Sequence, residues 1–165
     1  MTAAERDIPG VIVLPPLIPL AALLFGLLLD WLVPGYFLRV FLTFDERLFL
    51  GGVLLAVGVA LFIMGGHYFT LAKTNIPPTK PALHLVTDGI YAWIRNPMYV
   101  GFGFVAAGLA IAFASDWTFI LLIPAAIVLH RGVVLREERY LEAKFGDPYR
   151  HYMARVPRYG WPPRL

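Results

Sequence analysis

The sequence predicts an all-α integral membrane protein, with about four transmembrane helices followed by cytosolic C-terminal amphipathic helices. Three observations predict it. Of 165 residues, 59% are hydrophobic and 15% charged, where a soluble domain carries roughly 25% charged residues. Mean hydropathy is +0.69. The apolar residues gather into four runs, each near the roughly 20 residues that a helix needs to cross about 30 Å of hydrocarbon. A chain of this length is expected to form one domain, residues 1–165. Cysteine is absent, which excludes disulfides, thiolate metal sites and cysteine nucleophiles. His67, His84, His130 and His151 stand apart without metal-ligand spacing, so no metal is expected. No nucleic-acid partner is expected either.

The first run, about 11–33, holds Pro15, Pro16 and Pro19, so its firm helix is expected to begin near Pro19. Glu5 and Asp7 precede it where a signal peptide has a basic stretch, and no small-residue cleavage site follows. The run is therefore expected to be retained. The second run spans about 47–70, the third about 97–114 and the fourth about 117–135. Ser115 and Asp116 alone separate the last two, which predicts a tight antiparallel hairpin. Pro124 is expected to bend the fourth helix rather than end it, because apolar residues continue on both sides. Gly51, Gly58 and Gly65 recur every seven residues in the second run, and Gly101 and Gly108 do so in the third. Such small-residue stripes mark close helix–helix contacts in lipid, within one chain or between chains.

Basic residues orient the protein. Lys73, Lys80 and Arg95 lie in the 71–96 connection, and eight basic residues against four acids follow from Arg131 onward. Both segments are expected to face the cytoplasm, which with four spans places the N-terminus there too. The tail is too charged to be a fifth span. Val134, Leu141 and Phe145 share one side of a helix that Gly146 should stop, and Asp147 and Pro148 read as the N-cap and first residue of another. Tyr149, Tyr152, Tyr159 and Trp161 suit a layer at the headgroups or over a pocket. A basic amphipathic tail resting on anionic lipid accounts for the same residues.

Two polar clusters interrupt this pattern. In "DGIYAWIRNPMYVG", Asn96 reads as an N-cap and Pro97 as the first residue of the third helix. Capping does not explain why Arg95, Tyr91, Trp93 and Tyr99 crowd the same point. A helix start with free backbone N–H groups beside a planar cation binds a carboxylate or phosphate, and the loop 83–89 can hydrogen-bond a flat heterocycle through its backbone. Interfacial anchoring explains the aromatics equally well, but not Arg95. In "HRGVVLREERYLEAKFG", Arg131 and Glu138 are seven apart, hence on one face of a continuous helix. Arg136 and Arg139 can snorkel; Glu137 and Glu138, with shorter side chains, cannot reach far and read as lining an inward cavity.

At these residues the chain resembles the isoprenylcysteine carboxyl methyltransferases and their relatives, the membrane phospholipid methyltransferases. The resemblance lies in "LVTDGIYAWIRNPMYVG" (85–101), "EERYLEAKFGDPYRHY" (137–152) and "RVP" (155–157), with a lead-in from residue 74. It makes 74–157 the motif-bearing catalytic core. The pattern's RHP is RNP here, so Asn96 keeps hydrogen bonding but carries no proton. A histidine that eukaryotic relatives place two residues before the Leu-Val pair is displaced by one, at His84.

The resemblance implies a membrane methyltransferase that uses S-adenosyl-L-methionine, releases S-adenosyl-L-homocysteine and lacks a soluble Rossmann-type domain. It implies that Arg95, Asn96, Pro97 and Tyr99 at the helix start take the methionyl carboxylate and that Glu138, beside Glu137, takes the ammonium. His84, Leu85, Val86, Gly89 and Tyr91 would hold adenine and ribose, with Tyr149 and Tyr152 as a lid. Arg131 and Glu138 would be catalytic, Arg131 orienting an anionic acceptor. The partners implied are membrane lipid and a small lipophilic acceptor reaching the site between spans. The lead-in resembles bacterial members, which implies a bacterial inner membrane with both termini inside. Two other readings stay open: an NADPH-dependent membrane reductase resembling sterol reductases, since Arg95 suits a nucleotide phosphate, and a non-catalytic membrane scaffold.

Overall fold

The computed structural model describes residues 7–160, so Glu5, Trp161 and Arg164 lie outside the described residues. The regular elements among the described residues are all helices, with no strand among them. The first helix, α1 (Leu17–Leu32), begins two residues before the expected start. Pro16 caps it and Pro19 sits in its first turn, where a missing N–H costs nothing. A short α2 (Phe37–Phe41) follows, unforeseen because a five-residue helix has no readable period. Helix α3 (Phe44–Leu71) starts three residues before the apolar run. Thr43 and Glu46 form a reciprocal capping box there, with Glu46 Oε2 accepting from Thr43 N at 2.8 Å. Helices α4 (Pro97–Phe113) and α5 (Asp116–Leu129) make the expected hairpin, and α5 runs on through Pro124.

Past α5, a π-helical turn, His130–Val134, which the sequence reading did not foresee, joins it without a break to α6 (Leu135–Phe145); Gly146 ends that helix and α7 (Asp147–Arg155) follows, both as expected. The N-cap of α7 is Gly146, at φ +60°, and not Asp147, whose carboxylate instead meets Arg150.

Two stretches are long and apolar enough to cross a membrane, Phe44–Leu71 and Asp116–Phe145. The apolar helices Leu17–Leu32 and Pro97–Phe113 have 16 and 17 residues, short of the roughly 20 that a full span needs. The expected four spans thus become two long helices and two shorter apolar ones.

The packing is that of a membrane protein. The buried residues of α3 are Gly51, Gly58 and Gly65, while Phe49 is 71% exposed, as is Trp31 of α1 at 78%. Large apolar side chains point outward because lipid solvates them as well as a core does; backbones approach where side chains vanish. A Cβ on Gly58 would lie 2.7 Å from the Gly101 carbonyl oxygen, and one on Gly51 2.7 Å from that of Gly108. The glycine stripes therefore serve the α3–α4 contact inside one chain. Helix α1 packs along α5, where Gly26 faces Thr118.

At the end of the bundle away from the tail, polar groups are paired. Asp116 accepts from the backbone N–H groups of Phe37 at 2.8 Å and Leu38 at 3.0 Å, which starts α2. Asp30 accepts from Ser115, and Trp117 Nε1 donates to the Val33 carbonyl at 2.8 Å. At the opposite end the residues before α1 run across the π turn: Ile12 N–H donates to the Gly132 carbonyl at 3.2 Å, and the Ile12 side chain fills the space a Cβ on Gly132 would take. Arg136, expected to snorkel, donates to the Gly10 carbonyl at 3.0 Å.

Candidate active site

The site begins with the turn that delivers α4. Gly89 opens a short 3₁₀ turn, Gly89–Ala92, at φ +59°. Its missing Cβ makes room for the Tyr68 ring, which occupies the place that atom would take. Gly89→Ala is expected to cost at least about 1–2 kcal/mol from the left-handed backbone alone, and more because the ring must move. A lower unfolding temperature in detergent checks it. The turn buries Tyr91, whose carbonyl accepts from the Tyr152 hydroxyl at 2.7 Å, tying α7 to the turn.

Arg95 and Asn96 follow, and both are clasped by the tail. Arg95 N–H donates to the Pro157 carbonyl at 3.0 Å, and Asn96 Nδ2 to that of Arg158 at 3.2 Å. Asn96 holds the N-cap position of α4, yet its side chain caps nothing; it is spent on the tail. The first turn of α4 thus keeps free backbone N–H groups.

From α6, Glu138 enters beneath this helix start. Arg158 grips it with both arms, Nε to Oε1 at 2.8 Å and Nη2 to Oε2 at 2.6 Å. Arg95 Nη1 lies 3.1 Å from Glu138 Oε1, with both side chains 10% exposed. Its N–H bonds are not aimed at that oxygen, so Nε and Nη1 of Arg95 are buried without a hydrogen-bond acceptor among the described residues. Donors so placed are rare and costly unless a ligand uses them. Beside them, Glu137 Oε1 accepts from the Tyr99 hydroxyl at 2.6 Å.

These groups border one cleft. His84, Leu85, Val86, Tyr91, Arg95, Asn96, Pro97, Tyr99, Glu137, Glu138, Tyr149 and Tyr152 all line it. The structure therefore brings together the candidate site residues, with two exceptions. Gly89 stands behind the wall, shaping the turn. Arg131 is exposed and does not line the cleft. The seven-residue spacing that set Arg131 beside Glu138 assumed an unbroken α-helix; the π turn from His130 to Val134 changes the register between them. Sequence reasoning missed Arg158, counted only as tail charge, and the wall made by Phe69, Tyr140 and Asn75–Pro78. Burial pushes the phenols of Tyr91, Tyr149 and Tyr152 above their usual range, so they remain hydrogen-bond donors.

A second cavity shares Tyr99 with the first. It is an apolar groove between α1, α4 and α5, walled by Ile18, Val100, Phe102, Leu122 and Leu129 among others. Its polar residues are Tyr99, His130 and Tyr159, and Tyr99 borders both cavities. Tyr159 reaches His130 Nδ1 at 2.8 Å, and burial pushes its phenol up to about 12.

A bundle of helices with apolar exteriors, a charged cleft at one end and an apolar groove beside it has the build of a helical membrane protein. The chain belongs to the phospholipid methyltransferase family, whose model matches residues 46–148. It is similar to the protein-S-isoprenylcysteine O-methyltransferase of Schizosaccharomyces pombe, 41% identical over 76 residues, covering 44% of this chain and 31% of that protein. Proteins of the same name from Rattus norvegicus and Homo sapiens are 29% identical over 99 and 98 residues, covering 60% and 59% of this chain and 34% of each. The chain thus spans about a third of the length of these curated relatives. All three are eukaryotic and lend no support to a bacterial placement. No solved structure matches the chain.

Proposed function

We propose that the protein transfers a methyl group from S-adenosyl-L-methionine to a lipophilic acceptor at the membrane face. One observation carries this reading: the buried donors of Arg95, without a hydrogen-bond acceptor among the described residues, converge with Glu138, the free N–H groups of α4 and an aromatic wall in one cleft. The donor set fits the cofactor. Arg95 and the α4 start suit its carboxylate, Glu138 its ammonium, and the His84–Val86 backbone with Tyr149 the flat adenine.

When bound, the cofactor supplies a methyl carbon already activated by a sulfonium. The chain's residues then have to align and to exclude water. Tyr152, bonded to the Tyr91 carbonyl, holds α7 over the cleft. Tyr99, its hydroxyl fixed by Glu137, forms the wall where cleft meets groove, and so sets how close an acceptor in the groove approaches. An acceptor that arrives protonated also needs a proton acceptor nearby; Glu137 and His130 are the groups at hand. The relatives' name supports a lipid-linked carboxylate acceptor, and the family's name a phospholipid one. In the membrane, α1 and α4 complete four crossings beside the two long helices, with cleft and both termini on the cytosolic side.

S-adenosylhomocysteine is expected to bind the purified protein in detergent, releasing heat in a calorimeter and raising the unfolding temperature, while NADPH does neither. Labelled methyl from S-adenosylmethionine should then appear on one class among prenylcysteine analogues, phospholipids and lipophilic thiols. A protein blind to S-adenosylhomocysteine in both binding assays would refute the proposal; a response to NADPH alone would favour a reductase.

A further inference from the structure

The residues before α1 form part of the cleft wall, and the chemistry above leaves them without a role. Residues 7–12 follow one stripe of the helix opposite them: Asp7 meets Lys144 and Tyr140, Gly10 meets Arg136, and Ile12 meets Gly132, positions four apart. From this strap, Pro9 lines the cleft beside Pro77, Pro78 and Ala82 of the 74–84 loop. One phenol joins the two segments. The Tyr140 hydroxyl, itself in the cleft wall, accepts from Ala82 N–H at 3.0 Å and donates to Asp7 Oδ1 at 2.8 Å. Lys144 Nζ adds bonds to Asp7 Oδ1 at 2.7 Å and to the same hydroxyl at 3.1 Å. We propose that residues 7–9 are a gate on the cleft, which the Asp7–Tyr140–Lys144 clasp holds shut and whose release admits and discharges the cofactor.

The inference rests on the methyltransferase reading, which supplies the ligand, and on a contrast along the strap. Its far end is fixed. Arg136 holds the Gly10 carbonyl, Ile12 N–H donates to the Gly132 carbonyl, and the Ile12 side chain fills the hollow at Gly132. Its near end is not. Residues 7–10 make no backbone–backbone hydrogen bond to another described residue, so the clasp is what keeps them in place. Segments held this way open at low cost. Gly10 makes the bend between the two ends, at φ +64° and with open space where a Cβ would stand; a glycine moves through such conformations without steric penalty. The clasp is also replaceable by water, since the side chains of Asp7 and Lys144 are 56% and 25% exposed, and salt screens an ion pair of that kind. The 74–84 loop, by contrast, is braced within itself. Asn75 Nδ2 donates to the Pro81 carbonyl at 2.9 Å, and Thr74 Oγ1 accepts from Leu83 N–H at 2.8 Å. When the clasp parts, the loop therefore keeps its shape and the strap is the piece that moves.

The test is the rate of S-adenosylhomocysteine association and release, followed by surface plasmon resonance on the full chain in detergent. Tyr140→Phe keeps the ring in the wall and removes the hydroxyl bonds. Association and release should both quicken about 2- to 10-fold, the equivalent of one ordinary hydrogen bond, with Kd little changed. Asp7→Asn should do the same to a smaller degree. Added salt should speed both rates in the unaltered protein and leave those of Asp7→Asn alone. Because the chain has no cysteine of its own, Asp7→Cys and Lys144→Cys can be combined and joined by a short bis-maleimide, which should slow both rates. Faster release with unchanged association in Tyr140→Phe would mean that the hydroxyl touches the ligand and gates nothing. Unmoved rates in Tyr140→Phe and Asp7→Asn, or exchange through the cross-linked strap as fast as before linking, would overturn the gate while the methyltransferase reading stands. If the unaltered protein binds no S-adenosylhomocysteine, that reading falls and the gate with it. Should Tyr140→Phe misfold, the exposed Asp7→Asn and the cross-link decide.

Discussion

Arg95→Ala is expected to weaken S-adenosylhomocysteine binding about 10- to 150-fold, because a hydrogen bond to a charged partner is worth about 1.5–3 kcal/mol. The donors removed, Nε and Nη1, have no hydrogen-bond acceptor among the described residues, so much of their loss falls on the ligand, while the Arg95–Glu138 ion pair at 3.1 Å is lost from the fold. Glu138 keeps its two-armed bond to Arg158, which holds the cleft together in the variant. Arg95→Lys retains charge but loses the planar fork and should fall between the two. Calorimetry measures the affinity, and an unfolding temperature that still reports a cooperative, folded protein is the control. An Arg95→Ala protein with full affinity would show that the carboxylate sits elsewhere. Glu138→Ala is the poorer probe, since it leaves two guanidiniums facing each other and should lower stability as well as binding.

The second large effect is structural. Gly58→Leu is expected to destabilise the protein by at least about 1–3 kcal/mol, the usual cost of overpacking. The new Cβ meets the Gly101 carbonyl oxygen at 2.7 Å and Val105 Cγ2 at 2.8 Å, and neither a backbone carbonyl nor a helix yields cheaply. Helix α3 then parts from α4 and carries the Arg95–Tyr99 corner with it, so ligand affinity should fall together with unfolding temperature. Gly52→Leu, whose added Cβ meets nothing within 4 Å, is the matched control and should change neither. Equal behaviour of the two variants would mean that the stripe does not pack as described.

How much of this was legible depends on the range of the signal. The α3 and α4 helices were found within a few residues because a membrane helix announces itself by unbroken apolar length. The capping box at Thr43 was equally readable, as a threonine three residues before a glutamate, but the apolar run drew the boundary to Arg47. Tyr91, Arg95, Glu137 and Glu138 were legible as a site because charge and aromatics at a span's mouth are costly without a use. Arg158 was not, since a basic residue in a basic tail has no local feature to distinguish it. The misplacement of Arg131 has a sharper cause: helical spacing predicts a shared face only while the hydrogen-bond ladder stays i to i−4, and a π turn leaves no simple trace in composition.

By itself the sequence determined the class of protein, an all-helical membrane chain, and the two segments that carry its chemistry, because apolar length, glycine spacing and polar interruptions are local properties of the chain. The tertiary structure alone decided that these segments share one cleft, that Glu138 is gripped by Arg158, and that an apolar groove begins at Tyr99. Those facts come from which helix faces which, set by backbone contact at the glycines and by the register of one π turn, and neither is a property of any single segment.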